Sequence, residues 1–213
     1  MSRLVRLCVV RHGETVWNAE GRLQGHTDIA LNATGLAQAR DSAARLAAHR
    51  FDAAYTSDLR RAADTADAIA ACTGVVAQRR SNLRERHCGI FQGLTYADAR
   101  TRHPDAYRRF EARDPDFAFD DGESLTAFAA RIHAAFDAIV AAHPGQQVLV
   151  VAHGGVLDIL YRRASGRPLD TPRDFKIPNA ALNWLRCDAD GWSIESWAEA
   201  AHLGAARDEL PNA

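Results

Sequence analysis

Two short apolar runs near opposite ends of the chain restrict its fold more than any other feature. Leu4 to Val10 is apolar except for Arg6, and Val148 to Ala152 is apolar throughout. Runs of this length and composition are typical of central parallel strands that are buried on both faces. Alanine-rich segments of helical period alternate with shorter β-rich runs between them. The sequence therefore predicts an α/β protein whose mostly parallel sheet is covered by helices on both faces.

The other predicted elements follow the same alternation. The helices are expected at Thr34 to about His49, at Arg60 to Ala71, from a Ser124 cap to about Ala142, and at Val156–Arg163. The strands are expected at Ala53–Ser57, at the edge segment Val75–Arg79, and in a closing hairpin of Ala181–Cys187 and Trp192–Trp197. Asn32-Ala-Thr-Gly introduces the first of these helices, and the pair Ser57-Asp58 provides further N-cap candidates. Gly89 to Gly122 is predicted to be an insertion of short helices within a single domain, residues 1–213.

The near-neutral charge excludes two classes of partner. The chain has 213 residues, with 26 Lys+Arg against 27 Asp+Glu and a formal net charge of -1. It offers no net basic field to attract nucleic acid or anionic lipid, so any anion site must be local. We therefore expect neither nucleic acid nor a membrane as a partner.

Cysteine spacing and hydropathy indicate the compartment. The four cysteines lie too far apart in sequence for a C-x-x-C redox or zinc pattern, which favours a reducing environment. The N-terminal stretch has two arginines ahead of a short apolar run, and no small-residue cleavage site follows it. No window approaches the roughly 20 apolar residues of a membrane span. These features predict a cytoplasmic protein.

A His-Gly pair follows each of the two apolar runs. His12-Gly13 comes after the first run, and His153-Gly154 comes after the second. Ligands of open parallel sheets bind at the carboxyl ends of the strands, so both histidines are expected at one functional edge. The glycines would allow backbone N–H groups to approach a ligand closely. Two histidines in matched positions favour a functional site over two structural residues.

The neighbour of the first histidine distinguishes phosphoryl chemistry from metal binding. Arg11 precedes His12, and a guanidinium there would repel a cation and hold a phosphate through two parallel hydrogen bonds. The sequence has no H-E-x-x-H, no cysteine cluster and no aspartate beside His12 that would supply further metal ligands. We therefore predict phosphoryl chemistry without a metal.

A second cation and an acid are available at other predicted sheet-edge positions. Arg60-Arg61 opens a helix directly after a strand, although helical geometry alone leaves open which of the two points inward. Glu85 lies in a segment that follows a predicted strand, and it is the candidate for protonating a leaving alkoxide.

Five linked motifs resemble one family. They are R-H-G-E-T at Arg11–Thr15, S-D-L-x-R-A-x-x-T-A at Ser57–Ala66, L-x-E…G…G-L at Leu83–Leu94, G-E-S-L at Gly122–Leu125 and A-H-G-G at Ala152–Gly155. Their types and order resemble the histidine phosphatase superfamily, the phosphoglycerate-mutase-like enzymes, and they run through most of the chain. The resemblance implies a three-layer αβα sandwich.

The resemblance also implies a mechanism. His12 would attack phosphorus in line and form a phosphohistidine. Arg11, Arg61 and His153 would surround the transferring group and stabilise its charge, while Glu85 would protonate the leaving oxygen and then activate water. No metal or dissociable cofactor is implied.

The motif register implies further site residues. It selects Arg61 as the inward arginine, because the family arginine directly precedes the A-x-x-T-A run, and it leaves Arg60 on the surface. Four further positions would contact the phosphate or line the pocket: Asn18, Gln24, Gly25 and Gly154.

Motif details conflict on whether the enzyme is a phosphatase or a mutase. Glu85 to Leu94 is close to the mutase form, and Arg108-Arg109 fall where mutases have a substrate-binding arginine pair. Cys88 departs from that form. The insertion, about residues 95–122 and expected to form the pocket wall, has the short length typical of phosphatases, and a short wall excludes water less completely.

We therefore favour hydrolysis of a small phosphomonoester. The alternative is a phosphoglycerate mutase primed by 2,3-bisphosphoglycerate, and a non-catalytic phospho-ligand binder is less favoured because all of the inferred machinery is present. The family also leaves a homodimer open.

Overall fold

The computed structural model describes residues 4–204 and residue 208. The strands in this range are β1 (Val5–Arg11), β2 (Ala53–Ser57), β3 (Ala77–Arg80), β4 (Gln147–Ala152), β5 (Leu182–Asp188) and β6 (Gly191–Glu199). The α-helices are α1 (Val16–Ala19), α2 (Ala33–Leu46), α3 (Arg60–Thr73), α4 (Tyr96–Arg102), α5 (Pro104–Glu111), α6 (Leu125–Ala142) and α7 (Gly154–Ser165).

The sheet is mostly parallel, as the sequence predicts. The strand order is β3-β2-β4-β1-β5-β6, with β3, β2, β4 and β1 parallel, β5 antiparallel to β1, and β6 antiparallel to β5. The two apolar runs form the adjacent central strands, and their register pairs Arg11 with Ala152. Because the strands end side by side, the histidines that follow them enter the same edge of the sheet.

Each face of the sheet has its own core. Alternate residues of a strand point to opposite faces, so Val5, Leu7 and Val9 of β1 pack with α6 and α7, and Cys8 and Val10 pack with α2 and α3. All five side chains are almost fully buried. The predicted α/β sandwich with helices on both faces is confirmed.

The predicted N-cap of α3 is wrong by one position. The N-cap residue is Leu59, which has no side-chain cap hydrogen bond. The Asp58 carboxylate is instead bound by the Arg84 guanidinium, at 2.7 Å to Nε and 2.6 Å to Nη2. The backbone N–H of Arg60 donates to Asp28 Oδ1 at 2.7 Å. The carboxylate of Asp28, which is distant in sequence, therefore accepts the hydrogen bond that an N-cap side chain was expected to accept.

The insertion forms a small lobe with an aromatic core. The helices α4 and α5 and the loop that follows them enclose five buried rings: Phe91, Tyr107, Phe110, Phe117 and Phe119. The Phe91 ring lies edge-on to Phe119, with ring centroids 5.1 Å apart. The insertion is thus built from short helices, as predicted, and it has a packed interior of its own.

Helix α6 is more apolar than the sequence analysis, which found no membrane-spanning segment, implied. It is long and apolar enough to cross a membrane by length and composition alone, with a mean hydropathy of 1.4 over 18 residues. Its side chains Phe128, Ile132 and Phe136 are buried in the core against the sheet. The helix therefore packs as the core helix of a folded domain.

Candidate active site

His12 is presented as a neutral imidazole with a defined free nitrogen. The ring follows β1, lines the main pocket, and places Nδ1 2.7 Å from the carbonyl oxygen of Gly13. A carbonyl only accepts hydrogen bonds, so Nδ1 carries the proton and Nε2 keeps its lone pair. Burial lowers the pKa of His12 well below its usual value, and the charges of Arg61 and Arg11 lower it further. His12 is therefore uncharged at neutral pH, with its one proton on Nδ1.

Close backbone packing fixes the turn that carries His12. A Cβ added at Gly13 would lie 2.5 Å from the carbonyl oxygen of Gly35 in α2. The Gly13 N–H donates to Thr65 Oγ1 at 3.1 Å, and Asn179 Nδ2 donates to the His12 carbonyl at 3.0 Å. Gly13 thus serves helix packing, and its N–H is already engaged, which corrects the expectation that it would approach a ligand.

His153 lies edge-on to His12 in the interior. The ring centroids are 5.2 Å apart, and His153 is fully buried. Neither ring nitrogen has a hydrogen-bond partner among the residues that the structure describes. Burial lowers the pKa of His153 well below its usual value, with Arg61 and His12 adding to the effect. The pair therefore brings two neutral imidazoles together at the end of the sheet.

Arg61 points inward, and Arg60 points to solvent. The Arg61 side chain is buried, lines the pocket, and donates to the backbone carbonyls of Thr27 (2.9 Å) and Gly25 (2.8 Å). Burial lowers its pKa to about 10, so it remains cationic at neutral pH. Arg60 is exposed. This geometry agrees with the choice of Arg61 made from the motif register.

Arg11 supplies a second buried guanidinium to the same pocket. It is the last residue of β1, is 2% exposed, and donates from Nη1 to the Ile177 carbonyl at 2.7 Å. The pocket is therefore lined by two buried guanidinium groups, those of Arg11 and Arg61, together with the His12 imidazole. Such a site attracts an anion and repels a metal ion.

Glu85 is held at the pocket by backbone donors. Oε1 accepts from the Arg86 N–H at 2.8 Å, and Oε2 accepts from the Gly155 N–H at 2.9 Å. A 3-10 turn at Ser81–Leu83 separates Glu85 from β3, so it does not directly follow the strand. Helix α7 begins at Gly154, two residues earlier than predicted, and this earlier start brings the Gly155 N–H to the carboxylate.

An ion pair that the sequence analysis did not assign holds the Glu85 loop. Arg131 of α6 binds both carboxylate oxygens of Glu123 at 2.7 Å. The same guanidinium donates to the backbone carbonyls of Asn82, Arg84 and Glu85 at 3.0–3.1 Å. Glu123 belongs to the G-E-S-L motif, so this residue of the motif positions the candidate acid and does not itself line the pocket, whereas Leu125 of the same motif does.

Three of the four further predicted pocket residues line the pocket. Asn18, Gln24 and Gly25 are among its lining residues, and Asn18 Oδ1 accepts from the Thr15 N–H at 3.0 Å. Gly154 is buried at the start of α7, where its neighbour Gly155 lines the pocket instead.

Arg108 and Arg109 do not reach the pocket, which corrects their assignment as substrate-binding residues. Arg108 pairs with Asp105 at 2.6 Å and Arg109 with Asp114 at 2.8 Å, and these arginine side chains are 76% and 55% exposed. The opposite side of α5 carries Tyr107 and Phe110 into the aromatic core, so the arginines face solvent.

Several pocket residues were not assigned individually as site residues in the sequence analysis. They are Arg22, Arg86, Cys88, Tyr96, Phe110, Arg113, Leu125, Phe128 and Asp158. Tyr96, Phe110 and Arg113 belong to the insertion that was predicted to form the pocket wall. The others come from α6, α7, the loop after α1 and the loop around Glu85, and only the tertiary fold brings these segments together.

A fold of this topology with two histidines and two arginines at the strand ends defines a phosphoryl-transfer enzyme of the histidine phosphatase type. A family model described as the histidine phosphatase superfamily (branch 1) matches residues 7–200. The chain belongs to this superfamily.

The similar proteins carry both phosphatase and mutase-like names. Phosphoglycerate mutase-like protein 4 of Arabidopsis thaliana is 42% identical over 205 residues, covering 92% of this chain and 86% of the relative. Metal-independent phosphoserine phosphatase of the same plant is 39% identical over 207 residues, covering 95% and 84%. The structure of mycobacterial glucosyl-3-phosphoglycerate phosphatase superposes with a TM-score of 0.79 at 31% identity, covering 92% of this chain and 100% of the other. These relatives support a phosphatase.

Proposed function

We propose that the protein is a metal-independent hydrolase of a small phosphomonoester and acts through a phosphohistidine on His12. The observation that carries this proposal is the neutral His12 imidazole, whose Nδ1 is fixed on the Gly13 carbonyl in a pocket lined by Arg11 and Arg61. A neutral nitrogen nucleophile among fixed cations fits attack on a phosphate ester. The relative named as a metal-independent phosphatase supports the same reading.

In the first step, the lone pair of His12 Nε2 forms a bond to phosphorus while the bond to the leaving oxygen breaks. Arg11 and Arg61 stabilise charge on the phosphoryl oxygens. The ring nitrogens of His153 have no partner among the described residues, and one of them donates to a phosphoryl oxygen. Glu85, in its protonated form, gives its proton to the leaving oxygen, so the alcohol departs uncharged.

In the second step, water attacks phosphorus and the bond to Nε2 breaks. Glu85, now a carboxylate, accepts the proton of the attacking water. Inorganic phosphate leaves, and His12 returns to its neutral form. The fixed guanidinium groups supply the positive charge that a metal ion supplies in other phosphatases, and we propose that no cofactor is needed.

The mutase alternative has less support than the phosphatase. Its sequence signals were the Glu85–Leu94 segment and Arg108-Arg109, and the latter pair lies on the solvent face of α5. Incubation with 3-phosphoglycerate and a trace of 2,3-bisphosphoglycerate separates the two activities. A phosphatase releases inorganic phosphate, whereas a mutase accumulates 2-phosphoglycerate and needs the bisphosphate primer.

We also propose a cytoplasmic enzyme whose partner is a small phosphorylated metabolite, without nucleic acid or membrane. All four cysteines are free thiols, which supports a reducing compartment. A homodimer stays open, and sedimentation of the purified protein tests it.

Hydrolysis of p-nitrophenyl phosphate tests the proposed function. We expect the wild-type protein to release nitrophenol equally well with and without EDTA, and His12→Ala to lose about 10³-fold or more in kcat. His133→Ala, a substitution of a histidine of α6 that does not line the pocket, is the matched control and should retain activity. Loss of activity in EDTA would contradict the metal-free mechanism, and no activity of the wild type would favour a phospho-ligand binder.

A further inference from the structure

Helix α7 carries a buried carboxylate to the pocket. Asp158 lines the pocket and is 3% exposed. Its Oδ2 accepts from Arg113 Nη2 at 2.6 Å and from Arg162 Nε at 3.0 Å. Its Oδ1 is buried and has no hydrogen-bond partner in residues 4–204 and 208. One oxygen of the carboxylate is therefore saturated, and the other is an unused acceptor.

Asp158 lies one helical turn from Gly155, whose N–H binds the proposed acid Glu85. Residues three apart on a helix share a face, with Cβ positions about 5–6 Å apart. Gly155 and Asp158 are such a pair, and the Gly155 N–H holds Glu85, the proton donor to the leaving oxygen. A group on the leaving alcohol, three carbons from the scissile oxygen, covers a comparable span along α7.

The two arginines hold the carboxylate in one orientation. Arg113 Nε donates to the Leu169 carbonyl at 2.8 Å, and Arg162 Nη1 donates to Thr171 Oγ1 at 2.8 Å. Arg113 also adopts a left-handed backbone conformation with φ of 53°, which is unfavourable for a side chain with a Cβ. Because both guanidiniums are anchored, the unused oxygen of Asp158 cannot turn away to find another donor.

The charge around Asp158 discriminates between possible donors. One carboxylate faces two guanidiniums, and Arg86 and Arg61 line the same pocket, so the surroundings carry excess positive charge. That charge repels an ammonium group and tolerates an uncharged hydroxyl. We propose that Asp158 is a specificity-determining residue that accepts a hydrogen bond from a hydroxyl group on the leaving alcohol, an inference that rests on the proposed phosphatase activity.

A purely structural role makes a different prediction. Asp158 joins Arg113, which follows α5 of the insertion, to Arg162 of α7, and this buried triad ties the two parts together. If this were its only role, damage to the triad would slow all substrates by the same factor. A role in recognition instead changes the ratio between substrates that differ only in the hydroxyl.

Three alkyl phosphates test this ratio with the full-length protein. They are propyl phosphate, 3-hydroxypropyl phosphate and 3-aminopropyl phosphate. For the wild type we expect kcat/KM to be about tenfold or more higher for the hydroxypropyl ester than for the propyl ester, because a hydrogen bond to a charged group stabilises its transition state. The aminopropyl ester should be no better than the propyl ester. Equal rates for the first two, or a preference for the amine, would overturn the proposal.

Substitution of Asp158 then tests whether this residue causes the preference. Asp158→Ala and the isosteric Asp158→Asn should reduce the hydroxypropyl to propyl ratio to within about threefold of unity. Asp137→Asn, which alters an exposed ion pair with Arg163, is the matched control and should keep the wild-type ratio. A wild-type ratio retained in Asp158→Ala would overturn the proposal, because alanine offers the hydroxyl no hydrogen-bond partner.

Hydrolysis of p-nitrophenyl phosphate distinguishes failure of the proposed Asp158 role from failure of the proposed phosphatase function. If the wild type hydrolyses this ester but does not prefer the hydroxypropyl ester, the proposed function stands and the role of Asp158 is wrong. If the wild type hydrolyses none of the esters, both are wrong. The wild-type comparison needs no variant, so it stands even if both Asp158 substitutions prevent folding.

Discussion

Individual arginines in this protein differ in the groups that bind their guanidinium, and these partners decide whether the positive charge is available to a ligand. Arg84 binds the Asp58 carboxylate through two nitrogens, so its charge is compensated within the protein. Arg61 is held by two neutral backbone carbonyls, which fix its orientation and leave its charge uncompensated by them. Preoriented charge of this second kind stabilises a transition state without reorganising during the reaction.

Arg61 and Arg60 form a matched pair of substitutions. We expect Arg61→Ala to lower kcat/KM for p-nitrophenyl phosphate by about 10²-fold or more, because a charge-stabilising donor is removed from the pocket. Arg60→Ala should change it little, since that side chain is exposed. Steady-state kinetics with circular dichroism as a folding control checks this prediction. Equal losses in the two variants would show that Arg61 has no special role.

Glu85 can be tested through the leaving group. Glu85→Gln keeps the shape of the side chain but cannot deliver a proton to the departing oxygen. We expect it to slow hydrolysis of alkyl phosphates much more than hydrolysis of p-nitrophenyl phosphate, because nitrophenolate is stable enough to leave without a proton. The measurement is kcat/KM for both esters in both proteins. Equal slowing of the two esters would mean that Glu85 is not the acid.

The elements themselves follow from local sequence patterns, and this explains which site residues the sequence could predict. The apolar runs predict β1 and β4, and parallel pairing of these strands brings His12 and His153 together. Each histidine is adjacent in sequence to the element that places it. Ser124 caps α6 as predicted, and Asn32, in the segment predicted to introduce α2, caps that helix, because capping is also a local interaction.

The site residues that the sequence analysis missed or assigned wrongly make contacts between elements that are distant in sequence. Asp158 and Arg131 are single polar residues on helices, and nothing near them in the sequence distinguishes a polar residue with tertiary partners from a solvated one. The assignment of Arg108 and Arg109 was wrong for the opposite reason, because their motif position suggested a role in the pocket. The aromatic side chains of α5 pack into the core, and the two arginines therefore face solvent. Tertiary packing decides both outcomes.

The start of α7 supplies a prediction at the scale of an element. A Cβ added at Gly155 would lie 2.2 Å from Glu85 Oε1, so Gly155→Ala must displace the carboxylate. We expect the variant to lose activity on alkyl phosphates more than on p-nitrophenyl phosphate, as for Glu85→Gln, although Ala is a better helix former than Gly. Gly204→Ala is the control, because a Cβ there meets no described residue within 4 Å. An active variant with the wild-type leaving-group dependence would contradict this account of Gly155.

Over the whole molecule, near-neutral net charge conceals a concentrated cationic site. The formal charge is -1, yet Arg11 and Arg61 are both buried beside two imidazoles at the end of the sheet. A third positive charge would be unfavourable there, so the fold keeps His12 and His153 neutral. The same arrangement that prepares the site for a phosphate therefore makes the folded state sensitive to acid.

The stability of the protein should therefore fall as the pH drops below about 6.5, the ordinary pKa of histidine. Burial, together with the charge of Arg61, lowers the pKa of His12 and His153, so the unfolded chain binds these protons and the folded protein does not. The stabilisation is complete above pH 6.5, and each residue loses about 1.4 kcal/mol per pH unit below that value until its folded-state pKa is reached.

Urea unfolding at neutral pH and at about pH 5 measures this loss. Other partly buried histidines also titrate in this range, so the test is the difference between the wild type and His153→Gln. The variant should show a smaller fall in the free energy of unfolding between the two pH values, whatever its stability at neutral pH. Added inorganic phosphate should reduce the wild-type loss, because a bound anion favours protonation of the imidazoles. An identical fall in the wild type and the variant would contradict the neutral, buried state of His153.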